Sequence, residues 1–259
     1  MAIEIIGTPQ VGNTNNGADV TLTWSTRPSE GDYTIVVIGS PAPSAAVGTV
    51  STTGYDVVSG ATHAGAAAAN PSLVIYWKKQ GATTDTTVVA NAANSNTVDT
   101  SAIGFVLRGV DSTTLLDAVT ATAGETTSTN PDPASIAGAS ANFCTIVAAC
   151  MTAVKDTSIT APSGYTGYSQ VGDDIYDHTL AAAYKLNCNG TEAPASWTDW
   201  GSGLWYAITI AIKPAPAPTI SAKVMVDGVW KTVSSALVMV GGTWKAVSSI
   251  KTMVNGVWK

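Results

Sequence analysis

Apolar residues in this chain fall into short runs, such as Thr34 to Ile38, Leu73 to Lys78 and Ile103 to Arg108, each closed off by glycine, serine, threonine, asparagine or lysine-rich turn residues. A surface helix would need apolar positions spread at helical period over ten or so residues; a short unbroken run between turn residues fits a strand buried on both faces. Only 12% of residues are charged, so the polar surface must come mainly from hydroxyl side chains. That is the composition of many short strands joined by small-residue turns. The expected fold class is all-β, a jelly-roll-like β-sandwich without long helices. With 259 residues the chain can bury a sizeable core, as one large domain or two smaller units.

Ile3 to Ile6 and Val20 to Trp24 read as the first two strands, separated by the turn-rich Gly12-Asn13-Thr14-Asn15-Asn16-Gly17. Thr86 to Ala90 continues the series. The most legible stretch is Ile103 to Asp111, a strand interrupted by Gly104, then a Ser/Thr turn and a new strand beginning at Leu115-Leu116-Asp117-Ala118. Arg108, one of two arginines, ends that strand with Asp111 and Asp117 close behind. The planar guanidinium suits several acceptors at once, so Arg108, Asp111 and Asp117 are expected to fix a structural corner; ligand binding by Arg108 is the alternative.

The second half echoes the first. Tyr33-Thr34-Ile35-Val36-Val37, Thr53-Gly54-Tyr55, Val74 to Lys78 and Phe105 to Val110 recur in order as Cys144-Thr145-Ile146-Val147-Ala148, Ser163-Gly164-Tyr165, Ala182 to Lys185 and Tyr206 to Ile212. Two Greek-key halves facing each other would produce such an order. The body is expected to span residues 1–213. Pro-Ala-Pro-Ala-Pro at 214–218 is a stiff spacer, and residues 219–259 form a tail. There Val226-Asp227-Gly228-Val229-Trp230-Lys231 recurs every 14 residues, as Val240 to Lys245 and Val254 to Lys259. Asp-Gly, Gly-Gly and Asn-Gly favour two-residue hairpin turns, so the tail reads as a small β-meander of three hairpin repeats. Trp230, Trp244 and Trp258, with Met225, Met239 and Met253 in the preceding strands, occupy equivalent repeat positions and are the candidate assembly residues. A sheet apolar on both faces must be covered, by the body or by other subunits.

The net charge of −6 is unevenly spread. Residues 219–259 hold five lysines and one acid, giving +4, which leaves seven basic and seventeen acidic residues and −10 for the remainder. An acidic body argues against nucleic acid as its partner, while a basic tail suits an acidic neighbour. Cys144, Cys150 and Cys188 have neither zinc spacing nor an even count for disulfides; Cys144 and Cys150, on one strand, are too far apart to bridge and are expected as small core hydrophobes. The N-terminal Met1 to Ile6 lacks the character of a signal peptide, and no apolar run approaches transmembrane length, so folding in a cytoplasm without membrane insertion is expected.

Chemistry-bearing residues are sparse. His178 follows Asp173, Asp174, Ile175, Tyr176 and Asp177, an acidic cluster that would suit calcium but lacks graded ligand spacing; a solvated loop is the plainer reading. No Gly-x-Ser-x-Gly elbow accompanies His178, and His63 lies among alanines and glycines. No catalytic residues, cofactor or metal are expected. Trp197, Trp200 and Trp205, with Tyr206, surround Asp199 and Gly201-Ser202-Gly203 either as a glycan-stacking platform or as core residues beside a hairpin, the second being favoured because tryptophan is buried on average. Asn189-Gly190-Thr191 matches a glycosylation acceptor only formally.

Phe105 to Asp111, Leu116-Asp117-Ala118 and Trp205 to Pro214 together resemble a β-sandwich domain of tailed-phage structural proteins and of some bacterial surface proteins, over about residues 1 to 215. The Gly-x-Trp-Lys repeats are similar to those near the ends of phage tail and fibre proteins. The resemblance implies a virion or cell-surface setting and supplies no catalytic residues. The expectation is a non-enzymatic structural protein of a bacteriophage virion, in the tail, a fibre or a capsid decoration. It would partner other virion proteins and form a homo-oligomer through its repeats. The alternatives are a receptor-binding module for host surface glycan and a bacterial surface adhesin.

Overall fold

The computed structural model describes residues 2–14, 17–42, 47–65, 70–91, 99–172, 177–217, 223–226, 229–232, 237–240, 243–246, 253–254 and 257–258. In chain order the strands are β1 (Glu4–Ile5), β2 (Gln10–Thr14), β3 (Val20–Thr23), β4 (Tyr33–Ala42), β5 (Thr49–Val50), β6 (Asp56–His63), β7 (Asn70–Lys79), β8 (Thr87–Asn91) and β9 (Thr100–Arg108). They continue as β10 (Ala121–Ser128), β11 (Ile136–Ala137), β12 (Phe143–Thr152), β13 (Thr166–Gly172), β14 (His178–Cys188), β15 (Thr191–Glu192) and β16 (Gly203–Ile212). All strand pairs are antiparallel, and no helix occurs among the described residues. Compact units comprise Met1–Ala215 and Pro216–Lys259.

The first unit contains two large sheets. One runs β1-β9-β4-β7-β6, with β2 also on β9, and the other runs β10-β16-β12-β14-β13. The strands of the first sheet fall within residues 4–108, where the chain also passes repeatedly to the small sheet β3-β8-β5, and those of the second within residues 121–212. The two sheets repeat each other in register. Thr34 of β4 pairs with Lys78 on one side and Val106 on the other, and Thr145 of β12 pairs with Lys185 and Ala211 in the same way. At the edge, Asp56 faces Trp77 as Thr166 faces Tyr184. The echo in the sequence thus follows the strands: β4, β6, β7 and β9 have their counterparts in β12, β13, β14 and β16.

Alternation along these strands explains the packing. Ile35, Val37, Ile75 and Phe105 from the first sheet share one core with Cys144, Ile146, Ala148, Leu180 and Ile210 from the second. Val36, Ile38, Val74 and Val106 point the other way and pack under the small sheet β3-β8-β5, against Val20, Leu22, Trp24 and Val88. The runs look continuous in sequence because both faces of these strands are covered. Each large aliphatic so buried contributes roughly 1.5–3 kcal/mol. Cys144 and Cys150 are free and buried in the shared core, and Cys188 is free and buried in a smaller cluster with Phe143.

Three local readings change. Gly12-Asn13-Thr14 does not turn but pairs with Ala102, Ser101 and Thr100, because the β9 edge offers open hydrogen-bonding groups; Asn15 and Asn16 lie outside the described residues. Leu115 to Ala118 forms no strand, only an isolated bridge from Leu116 to Ile212. Gly104 does not interrupt its strand: a Cβ there would stand 2.7 Å from Trp24 Cζ3 and 2.9 Å from Cη2, so the glycine makes room for the indole of the layer above.

The second unit holds three hairpins, β17 (Lys223–Val226) with β18 (Val229–Thr232), β19 (Leu237–Val240) with β20 (Thr243–Ala246), and β21 (Met253–Val254) with β22 (Val257–Trp258). Among the described residues they are separate two-stranded sheets, without the ladders between hairpins that a continuous meander would have.

Candidate functional site

The internal repeat carries a polar constellation that sequence reasoning missed. Thr34 Oγ1 donates to the Tyr55 hydroxyl at 2.9 Å, and Lys78 Nζ lies 2.8 Å from Asp85 Oδ2 and 5.5 Å from the centre of the Tyr55 ring. In the other half Lys185 Nζ lies 2.7 Å from Glu192 Oε1 and 5.7 Å from the centre of the Tyr165 ring. Burial pushes both phenols upward. The halves differ in detail: Thr145 Oγ1 donates to Cys188 Sγ at 3.3 Å, and the Tyr165 hydroxyl has no hydrogen-bond partner. Each lysine is engaged by a carboxylate and a ring face, which suits pinning a loop to a sheet and leaves no free amine for chemistry. The signal was present in the sequence as a lysine with an acid seven residues on, in both halves.

The corner residues part company. Arg108 forms a bidentate pair with Asp32, Nε to Oδ1 and Nη2 to Oδ2 both 2.8 Å, and Nη2 also donates to Ser29 Oγ at 3.1 Å. Asp111 instead builds its own turn, accepting from Thr113 N at 2.8 Å, Thr113 Oγ1 at 2.6 Å and Thr114 N at 3.0 Å, while its carbonyl accepts from Tyr33. The Thr113 hydroxyl and amide hold its carboxyl well below the usual carboxylate range. Asp117 takes the amide and hydroxyl of Ser140, both at 2.7 Å. Proximity in sequence suggested one network; strand geometry sends the guanidinium across to the loop before β4.

The tryptophans take the core position favoured from the sequence and not the alternative of a glycan platform. Trp197, Trp200 and Trp205 are only 1%, 5% and 5% exposed and pack on the outer face of the second sheet with Val147, Met151 and Ala207. Trp197 and Trp200 meet edge to face at 6.0 Å, and Trp205 Nε1 donates to Ser128 Oγ at 2.8 Å. Rings that close a core have no face left for a sugar.

His178 is fully buried, with Nε2 3.0 Å from Ser101 Oγ and no partner on Nδ1; burial lowers its pKa to about 4. Ser101 and Asp99 are buried as well. Asp173, Asp174, Ile175 and Tyr176 of the proposed calcium cluster lie outside the described residues, and among the described residues no group of three ligating side chains is gathered. His63 stacks on Tyr206 at 3.6 Å.

An open apolar feature lies along β6, the last strand of its sheet. A cleft of about 390 Å³ is lined by Asp56, Val57, Val58, Trp77, Leu115 and Leu116, among others. In the tail, backbone pairing sets Met225 opposite Trp230, Met239 opposite Trp244 and Met253 opposite Trp258; the side chains of these six residues lie outside the described residues. No family model, curated protein or solved structure matches the chain.

Proposed function

We propose that the protein is a non-enzymatic structural component of a tailed-phage virion, a sandwich-like body followed by a repeat tail through which it assembles with further copies and other virion proteins. The observation that carries this reading is the common register of the tail hairpins, with methionine opposite tryptophan in each. An isolated two-stranded hairpin is marginal in water, and three copies of one pairing make a repeated contact surface. The body's duplicated lysine pins and its core, shared by both large sheets, suit a scaffold. Folding would take place in the host cytoplasm before incorporation into particles.

The test compares Trp244→Ala with Trp258→Ala by light scattering and by incorporation into particles. Trp244 lies in the middle repeat, so its loss should cost more assembly than loss of Trp258 at the frayed end. Identical behaviour of both variants and the parent, all monomeric with an intact body, would sink the reading.

A further inference from the structure

We infer that the two large sheets meet at an acid-sensitive seam, where protonation of His178 releases the β13–β14 end of the second sheet from β9 of the first while the rest of the body stays folded. His178 opens β14 between Thr152 of β12 and Gly172 of β13, on the face that also carries Cys150 and Leu180 into the shared core. Its partner Ser101 stands two residues before Ile103, on the face of β9 that enters the same core. The hydrogen-bonded pair thus caps that core where the two sheets meet. β13 is the last strand of its sheet and His178 is the first residue of β14. The ring therefore reaches water when only the terminal rungs, Thr152 to His178 and Gly172 to His178, come apart.

The closed site suits only the neutral ring. Its side chain is fully buried, Nδ1 has no hydrogen-bond partner, and Gly172 lies so close that a Cβ there would overlap Cε1 and Nδ1. Among the described residues the charged neighbours are Asp99, whose Cβ stands 3.0 Å from that same added Cβ, and Asp177, whose carbonyl accepts from the Ala153 amide. Neither carboxylate accepts from Nδ1. Asp156 meets Thr179 through its amide, on the opposite face of β14. From β12 comes the Cys150 thiol, pushed up to about 12 by burial and so neutral. β4, with Gly39 and Ser40 against Cys150, and β2, with Asn13 on Gln170, bring no charge. Protonation thus adds a full charge and a donor without an acceptor, a state that burial opposes and water relieves. The chain's other histidine is an internal control. Ser101 pairs with Gly39, five residues after Thr34, as Tyr206 pairs with Cys150, five after Thr145, so the two hold the same place in the repeat. His63 is half-buried and stacks on Tyr206, whose ring face accommodates a cation.

Amide hydrogen exchange of the full chain from pH 7 to pH 4, corrected for intrinsic rates, tests this, with NMR of the two imidazoles alongside. A closed ring that titrates at about 4 and an open one near the ordinary 6.5 make the open seam about a hundredfold more populated at pH 4 than at pH 7. Protection at residues 101–103 and 178–180 should fall by that factor, while residues 105–108 and 184–186, toward the far ends of the same strands, stay protected. His178→Gln, whose amide can keep the Ser101 contact without titrating, should hold the seam closed at pH 4, and His63→Gln should behave as the parent. Should the first variant fold poorly, the parent decides alone: its seam amides must open with the midpoint at which the His178 ring takes up its proton. Protection lost equally along every strand would overturn the inference, as would a His178 ring protonated at pH 4 beside seam amides still protected.

Discussion

Lys78 and Lys185 make the same contacts in two different sheets: each pairs with the equivalent threonine across the ladder, lies over a tyrosine ring and meets an acid seven residues on. The surroundings differ. Lys78 and Asp85 are both 18% exposed, whereas Lys185 is 36% exposed and Glu192 12%.

Lys78→Met should therefore destabilise the body more than Lys185→Met. Lys78 is the more buried cation and also donates to the Thr53 carbonyl at 2.8 Å, so its loss should cost about 2 kcal/mol, while loss of the more exposed Lys185 should cost roughly 1 kcal/mol. Urea midpoints of the two variants, compared with the parent at constant slope, measure the difference. Equal midpoints would show that the pins are interchangeable.

Arg108→Met strips the bidentate partner from Asp32, whose side chain is 3% exposed. An uncompensated buried carboxylate should cost about 2–3 kcal/mol, and Arg108→Lys should recover only part because an ammonium cannot reproduce the fork. Asp32→Asn in the Arg108→Met background should regain stability, which thermal unfolding of the double variant would register.

Gly104→Val tests the close approach of two layers. The new side chain would overlap Trp24, so the β3-β8-β5 sheet must shift or the indole must leave its rotamer, costing roughly 1–3 kcal/mol. Pairing the change with Trp24→Leu should relieve much of the loss. If the single variant melts with the parent, the glycine has no packing role.

Stability should fall on acidification from about pH 6.5 to about pH 4. His178 has a folded pKa of about 4, below the roughly 6.5 of an unfolded chain, so between these values the unfolded state binds a proton that the native state refuses. The sign is thus a loss of stability as pH falls, levelling off below about 4, with a total of roughly 3 kcal/mol. His178→Gln should flatten the profile of denaturation midpoint against pH between 4 and 6.5; an unchanged profile would assign the slope to other groups.

The all-β class, the central strands and the dipeptides between paired tail strands were legible in the amino-acid sequence, because run length and turn chemistry are local properties. The echo between halves was legible too: Thr34-Ile35-Val36 and Thr145-Ile146-Val147 lie at matching places in their sheets. Which groups meet across the fold was decided only by tertiary structure. Arg108 has acids three and nine residues away, yet it pairs with Asp32, 76 residues away, because the strand end points toward that loop. Gly104 reads as a strand breaker until Trp24 is placed over it. The same indoles that would suit a sugar platform close a core, since a segment's alternation shows which side chains share a face but not what covers it.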